Sequence, residues 1–354
     1  MWPLLRWLFF RLEPERAHHV ALRLLQITGA TPPLRGLLDL LYRAPAYPPL
    51  TLWGRTTFPN PIGLAAGWDK DGLAFRGLAS MGFGHVELGT VTPRAQPGNP
   101  RPRVFRLPED HALINRMGFP SRGADVLAAR LQRRRDRGWA PRLVLGVNLG
   151  KNKDTPLESA VDDYLVLLER FAPLCDYLVV NLSSPNTPGL RALQARDALE
   201  PLLRALVARR QALGSVTPIL AKLAPDLDDA QRDGALEAAL AAGIDGLVAT
   251  NTTLARTGLR SPRQSETGGA SGACLTHRAT EFVAALHRAT QGHLPIIAAG
   301  GVMNADDAKA KLDAGASLVQ LWTGLVYGGP SLPRRIVQEL LRRERLLGDR
   351  VPRV

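Results

Sequence analysis

The chain reads as an α/β protein of the (β/α)8, or TIM barrel, class with a small helical extension at its N-terminus. Eight short apolar runs, many of them β-branched, recur along it, each followed by Gly, Asn or Thr and then by a helical stretch. Buried parallel strands separated by crossover helices require that pattern. Polar residues gather at the ends of these runs, where barrels of this class keep their sites. The 354 residues, 45% hydrophobic, supply the core of one large domain plus an appendage.

The N-terminal segment Met1 to Leu12 is bulky and apolar, with Arg6 and Arg11 interspersed. It is too short to span a bilayer and is suited to lying in its interface. No small-residue cleavage site follows, so it does not read as a secretory signal. Pro14 and Glu15 start a second helix with Ala17, Val20, Ala21, Leu24 and Leu25 as its apolar side, and Leu34 to Tyr42 reads as a third. The Pro45 to Pro49 stretch is a linker. Residues 1–45 are thus a helical extension, laid on a membrane or packed as core helices, and 46–354 are the barrel.

The strand runs are Ile62–Ala66, His85–Val91, Leu143–Asn148, Tyr177–Asn181, Pro218–Lys222, Gly246–Thr250, Pro295–Ala299 and Leu318–Trp322. Arg94 to Phe119 is a long connection after the second run and predicts an excursion over the barrel mouth. Ser331 to Leu347 predicts a closing helix, with Ile336, Val337, Leu340 and Leu341 facing inward.

A formal charge of +13 is compatible with nucleic acid, an anionic membrane, anionic small molecules or an Arg-rich solvated surface, and by itself selects none of them. Cys175 and Cys274 provide neither a disulfide framework nor metal-ligand spacing, so no metal is expected and a reducing compartment fits.

Ala65, Ala66, Thr90, Asn148, Asn181, Lys222, Thr250, Asn251, Gly300, Gly301, Trp322 and Thr323 sit at or just past strand ends. Their convergence predicts a polar ligand at the mouth. Asn181 to Arg191 crowds amides and hydroxyls where the fourth strand ends, able to bind a flat polar ligand from several directions or to form a polar turn. Gly300-Gly301 and Thr323-Gly324 follow the seventh and eighth strands, where barrels often bind phosphate, and Gly268 to Gly272 adds flexible backbone nearby. Lys222 would be costly to bury unpaired, so it faces an anionic or electron-accepting group, or pairs with a carboxylate such as Asp226.

The motifs Leu64 to Gly72, Gly89 to Pro93, Asn115 to Phe119, Gly150 to Lys153, Asn181 to Arg191, Ala249 to Thr253 and Ala314 to Gln320 together resemble the dihydroorotate dehydrogenases. The resemblance runs from Glu13 onward and is strongest to the membrane-associated, quinone-using class. It implies an FMN enzyme oxidising dihydroorotate to orotate in pyrimidine biosynthesis. FMN would contact Ala65, Ala66, Thr90, Asn148, Asn181, Lys222, Thr250, Gly272, Gly301, Trp322 and Thr323. Lys70, Asn115, Arg116, Met117, Gly118, Phe119, Asn181, Asn186, Asn251 and Thr252 would surround the substrate.

By the same resemblance Ser184 is the catalytic base, taking a proton from substrate carbon 5 while hydride leaves carbon 6. Soluble classes place Cys there, and neither cysteine of this chain aligns with it. A neutral Ser is a weak base; Thr187 and a water, screened by Phe119, would carry its proton away, and Lys70 with the amides would stabilise developing charge. Residues 1–45 match the extension that leads quinone to the flavin, with His18, Arg106 and Trp322 at its inner end. Trp322 replaces the family's usual Tyr, and Ala270 and Trp68 also depart from its pattern. The expected setting is the cytoplasmic side of the bacterial inner membrane, bound peripherally, with no nucleic acid and no obligate protein partner. The alternatives are a soluble fumarate- or NAD-linked relative and a tRNA dihydrouridine synthase-like flavoprotein; the latter expects a catalytic Cys and a further RNA-binding domain.

Overall fold

The computed structural model describes residues 2–137 and 143–348. Met1 of the apolar segment and the residues after Gly348 lie outside them. Three helices open the chain: α1 (Trp2–Arg11), α2 (Pro14–Ala30) and α3 (Pro32–Tyr42). Pro14 begins α2, and the Glu13 carboxylate caps it by accepting from the backbone N–H groups of Glu15 and Arg16. A hairpin, β1 (Leu50–Leu52) and β2 (Thr56–Phe58), comes next.

The chain continues through β3 (Ile62–Leu64), α4 (Phe75–Ala79), β4 (His85–Val91), β5 (Val104–Leu107), β6 (Ala112–Asn115), α5 (Ala124–Asp136) and β7 (Val144–Leu149). It then alternates α6 (Ala160–Phe171), β8 (Tyr177–Asn181), α7 (Arg196–Ala212), β9 (Ile219–Leu223), α8 (Asp229–Ala242) and β10 (Gly246–Ala249). The last elements are β11 (Gly269–Gly272), α9 (Thr276–Thr290), β12 (Ile296–Ala299), α10 (Ala305–Asp313), β13 (Leu318–Leu321), α11 (Thr323–Gly328) and α12 (Leu332–Gly348).

β3, β4, β7, β8, β9, β10, β12 and β13 pair in parallel and in that order, and β13 returns to β3 to close an eight-stranded barrel. Each of the eight apolar runs supplies one of these strands. Strands buried on both faces read as continuous apolar runs, which is why they were visible. α12 closes the ring with Ile336, Val337 and Leu340 buried and Leu341 packed at the edge of the core.

Three features differ from the sequence reading. The hairpin β1–β2 had no strong signal because its strands are three residues long, yet it plugs the barrel floor. Phe58 and Leu52 pack with Val144, Tyr177, Val179, Leu220, Val248, Ile297 and Leu318, and Trp53 donates to the Asp245 carbonyl at 2.8 Å. Gly268 to Gly272 is not a loose loop: β11 pairs with β6, and β6 with β5, as a three-stranded antiparallel sheet. The excursion after β4 therefore has a partner donated from more than a hundred residues away. In α2, Val20 and Leu24 are exposed while Leu22 is buried, so the face turned to the protein is rotated from the one expected.

Two close approaches fix the geometry. α2 crosses α4 at Gly29 and Gly77, where a side chain on either would overlap the other helix's backbone. Inside the barrel, Gly63 of β3 leaves room for the ring of its register partner His85, which also meets Phe58 edge-on. An added methyl would overlap an imidazole that is fully buried and cannot move aside. Gly63→Ala is expected to cost about 1–3 kcal/mol, read as a lower urea midpoint with an unchanged slope.

Candidate functional site

A cavity of about 700 Å³ begins at the C-terminal strand ends, passes under the β5–β6–β11 sheet and continues between α1 and α2. Its polar end is built by the strands. Ala65, Ala66, Thr90, Asn181, Lys222, Thr250, Gly272, Gly301, Trp322 and Thr323 line it, as do Lys70, Asn115, Met117, Gly118, Phe119, Ser184, Asn186, Asn251 and Thr252. Its other end is apolar, with Trp2, Leu5, Phe9, Phe10, Leu24 and Leu38 among its walls. His18, Arg106 and Trp322 stand between the two.

Three expected residues lie elsewhere. Asn148 stands one layer below the cavity, accepting from the Thr90 hydroxyl at 2.5 Å and from the Asn181 amide at 2.9 Å. Thr187 is buried beside the lining residues rather than among them. Arg116 turns away: its guanidinium bonds Glu266 at 2.7 Å and lies over Phe105, tying the loop before β11 to the excursion.

The amides form two hydrogen-bonded groups. Asn251 donates to Ser183 Oγ at 2.9 Å and to Asn181 Oδ1 at 3.3 Å, and Asn186 donates to Asn115 Oδ1 at 3.3 Å. Ser184 Oγ accepts from the backbone N–H of Asn186 at 3.2 Å, and Ser184 is 5% exposed. Gln96, which the sequence did not single out, holds the loop above it by donating to the carbonyls of Phe119 and Gly118. No local motif marks such a residue; only the folded loop shows it.

Two ammonium groups face the cavity. Lys222 makes no hydrogen bond or ion pair with any described residue; Asp226, a suggested partner, is instead bonded by Arg191 and Thr253. Burial lowers the pKa of Lys222, and the charge of Glu87 opposes that. Burial and the nearby Arg103 bring Lys70 down to about 7. An anionic ligand would compensate both. His18 is brought down to about 4, first by burial and then by Lys70, so it is neutral at physiological pH. Its ring stacks on Trp322 with centroids 6.2 Å apart and meets Trp68 edge-on at 5.1 Å.

The extension is held over the mouth by polar bonds. Glu15 of α2 takes both Nε and Nη2 of Arg103, at 3.1 and 2.7 Å, and Nη2 of Arg101 at 3.0 Å. Arg106 donates to the carbonyls of Phe9, Phe10 and Leu12, at and just past the C-terminal end of α1. The Trp2 indole donates to the Tyr327 carbonyl at 2.8 Å. Among the described residues no cluster of three or more His, Cys, Asp or Glu could hold a metal.

The family model described as dihydroorotate dehydrogenase matches residues 50–343, almost the whole barrel. The chain belongs to the dihydroorotate dehydrogenase family. Its curated relatives include the dihydroorotate dehydrogenase (quinone) of Roseiflexus sp. (strain RS-1), 49% identical over 98% of this chain and 94% of that one. The same enzyme of Anaeromyxobacter sp. (strain Fw109-5) is 51% identical over 97% and 93%. Among solved structures, ligand-free dihydroorotate dehydrogenase from Eimeria tenella superposes with a TM-score of 0.86 at 41% identity, covering 95% of this chain and 96% of that one. Its complex with ferulenol gives a TM-score of 0.85 at 39% identity, covering 95% and 93%.

In this dehydrogenase burial raises the Glu15 pKa, but the hydrogen bonds and charge of Arg103, with Arg101, outweigh it and hold the carboxyl below its ordinary range. A depressed carboxyl contributes stability above its unfolded pKa and loses it as pH falls through the folded value. Glu15→Ala leaves Arg103 buried without its partner, with an expected loss of about 3–5 kcal/mol. Limited proteolysis at neutral pH should then cut the extension first, whereas the parent chain becomes similarly sensitive only in acid.

Proposed function

We propose that this chain oxidises dihydroorotate to orotate with FMN at the barrel mouth and passes the electrons to a membrane quinone, within pyrimidine biosynthesis. The observation that carries the reading is the single cavity joining a polar strand-end site to an apolar opening between helices. Fit to a flavin rests on three further observations. The unpartnered Lys222 ammonium suits an electron-accepting ring, the cavity has the volume of a cofactor site, and its wall after β12 is glycine backbone. Gly301, at φ +72°, is pressed so closely on Thr276 that a side chain there would overlap it.

Ala65, Ala66, Thr90, Asn181, Lys222, Thr250, Gly272, Gly301, Trp322 and Thr323 would hold the FMN, with Asn148 setting Thr90 and Asn181 from below. When bound, FMN accepts hydride from substrate carbon 6 and is reoxidised by the quinone.

The remaining chemistry belongs to the protein. Lys70 binds the substrate carboxylate, and its ammonium regains full charge against that anion. Asn115, Asn181, Asn186 and Asn251 offer both donors and acceptors to the planar ring edge. Ser184 takes the proton from carbon 5, and Phe119, 8% exposed, keeps bulk water from the step. Thr187 lies buried nearby and would pass the proton on through a water.

The apolar end suits a quinone because His18 is neutral and packed between Trp68 and Trp322. The indole N–H of Trp322 would replace the family's phenol as donor. No helix of the described residues is long and apolar enough to cross a membrane. α1 to α3 nevertheless expose Leu4, Trp7, Leu8, Ile27, Leu37 and Leu40, an apolar surface suited to lying in the membrane interface, with Arg6 and Arg11 near anionic headgroups. That surface supports peripheral membrane attachment, and the cytoplasmic side of the inner membrane is the setting proposed for it.

The purified protein should be yellow and bleach on anaerobic addition of dihydroorotate. Ser184→Ala should keep its FMN and bleach about 10²–10⁴ times more slowly; near-normal bleaching would remove Ser184 from the base role. Deleting residues 2–12 should weaken co-sedimentation with anionic vesicles, and unchanged binding would contradict the membrane-facing assignment.

A further inference from the structure

We propose that Glu87 is a positioning residue, one that fixes the polarity of the amides and the charge beneath the cofactor although it touches neither substrate nor cofactor. The inference rests on the flavin reading above. Glu87 points from β4 into the barrel and is wholly buried. One carboxylate oxygen accepts from Asn148 Nδ2 at 2.7 Å and the other from Gln320 Nε2 at 2.8 Å.

A carboxylate only accepts, so Asn148 must turn its nitrogen down to Glu87 and its oxygen up. That oxygen takes the Thr90 hydroxyl and the Asn181 amide. Asn181 must then present its own oxygen outward, where Ser183 Oγ and Asn251 Nδ2 donate to it. Asn148, Asn181 and Asn251 are therefore each oriented by the neighbour before, and the series starts at Glu87. A residue too short to reach the two amides would permit either orientation at every step.

The second effect is charge. Lys222 is buried beside the same cavity without an ion pair to any described residue, and Glu87 is an acidic group whose charge opposes the loss of its proton. Together they place an ammonium next to the cofactor with a carboxylate one layer below. Glu87 thereby limits how strongly that wall favours the reduced, more negative cofactor over the oxidised one.

Two variants separate the effects. Glu87→Gln keeps the shape and removes the charge. The core can absorb it because Gln320 Oε1 has no hydrogen-bond partner and can rotate to accept from the new amide. Glu87→Asp keeps the charge but, one methylene shorter, cannot reach both amides. Glu87→Gln should retain FMN and bind the reduced form about tenfold better relative to the oxidised form, raising the two-electron potential by about 30 mV. Glu87→Asp should weaken FMN binding about tenfold with the potential unchanged. Wild-type potential in the first variant together with wild-type FMN affinity in the second would overturn the proposal. If Glu87→Gln does not fold, the affinity of Glu87→Asp decides. A colourless parent protein would contradict the flavin reading, whereas a yellow parent with indifferent variants contradicts only the role of Glu87.

Discussion

The bond between Glu15 and Arg103 is the constraint on which the two-ended cavity depends. α1 and α3 contain no fully buried residue, so the extension cannot hold itself to the barrel by burial of apolar surface alone. Only α2 enters the core, through Ala17, Leu22 and the glycine contact at Gly29. The ion pair adds direction to that contact. Its carboxylate is saturated by three guanidinium N–H donors, the condition under which a buried pair outweighs its desolvation. Because Arg103 also donates to the carbonyls of Pro97 and Asn99, the bond ties α2 to the same excursion that roofs the polar site. Roof and extension are thus registered on one guanidinium, and the apolar opening meets the strand ends.

A second layer of order lies below the ligand site. The barrel floor is apolar, plugged by the hairpin, but the layer above it carries Glu87, Gln320 and Lys222. Burying such groups is costly unless they are satisfied. Glu87 is bonded by Asn148 and Gln320, whereas Gln320 Oε1 has no hydrogen-bond partner and Lys222 bonds no described residue. The Lys222 ammonium is left for a ligand, while Asn148, Thr90 and Asn181 bond one another with their polarity already set. The mouth is thereby organised before anything binds, which reduces reorganisation when charge develops.

Much of this was legible in the chain. The eight strands were readable because each is buried on both faces and ends in a polar residue, and Pro14 marked the start of α2. Most of the cavity lining followed from strand ends and from the resemblance to the dehydrogenase family. What could not be read depends on distant pairing or on side-chain direction. β11 looked like a glycine-rich loop because its partner β6 lies far away in sequence, and Arg116 sits within a motif that the resemblance assigns to substrate yet swings to Glu266. Glu87 was hidden inside an apolar run, where the inward alternation of His85, Glu87 and Gly89 becomes visible only once the barrel closes.

If one cavity connects the dihydroorotate site to a membrane-facing opening, electrons enter at the polar end and leave at the apolar one. Anaerobic stopped-flow reoxidation of the dihydroorotate-reduced protein, with a ubiquinone analogue, fumarate and NAD compared as acceptors, tests it most directly. Rapid reoxidation by the quinone alone is the predicted result. Reoxidation by fumarate or NAD with the quinone inert would contradict the account.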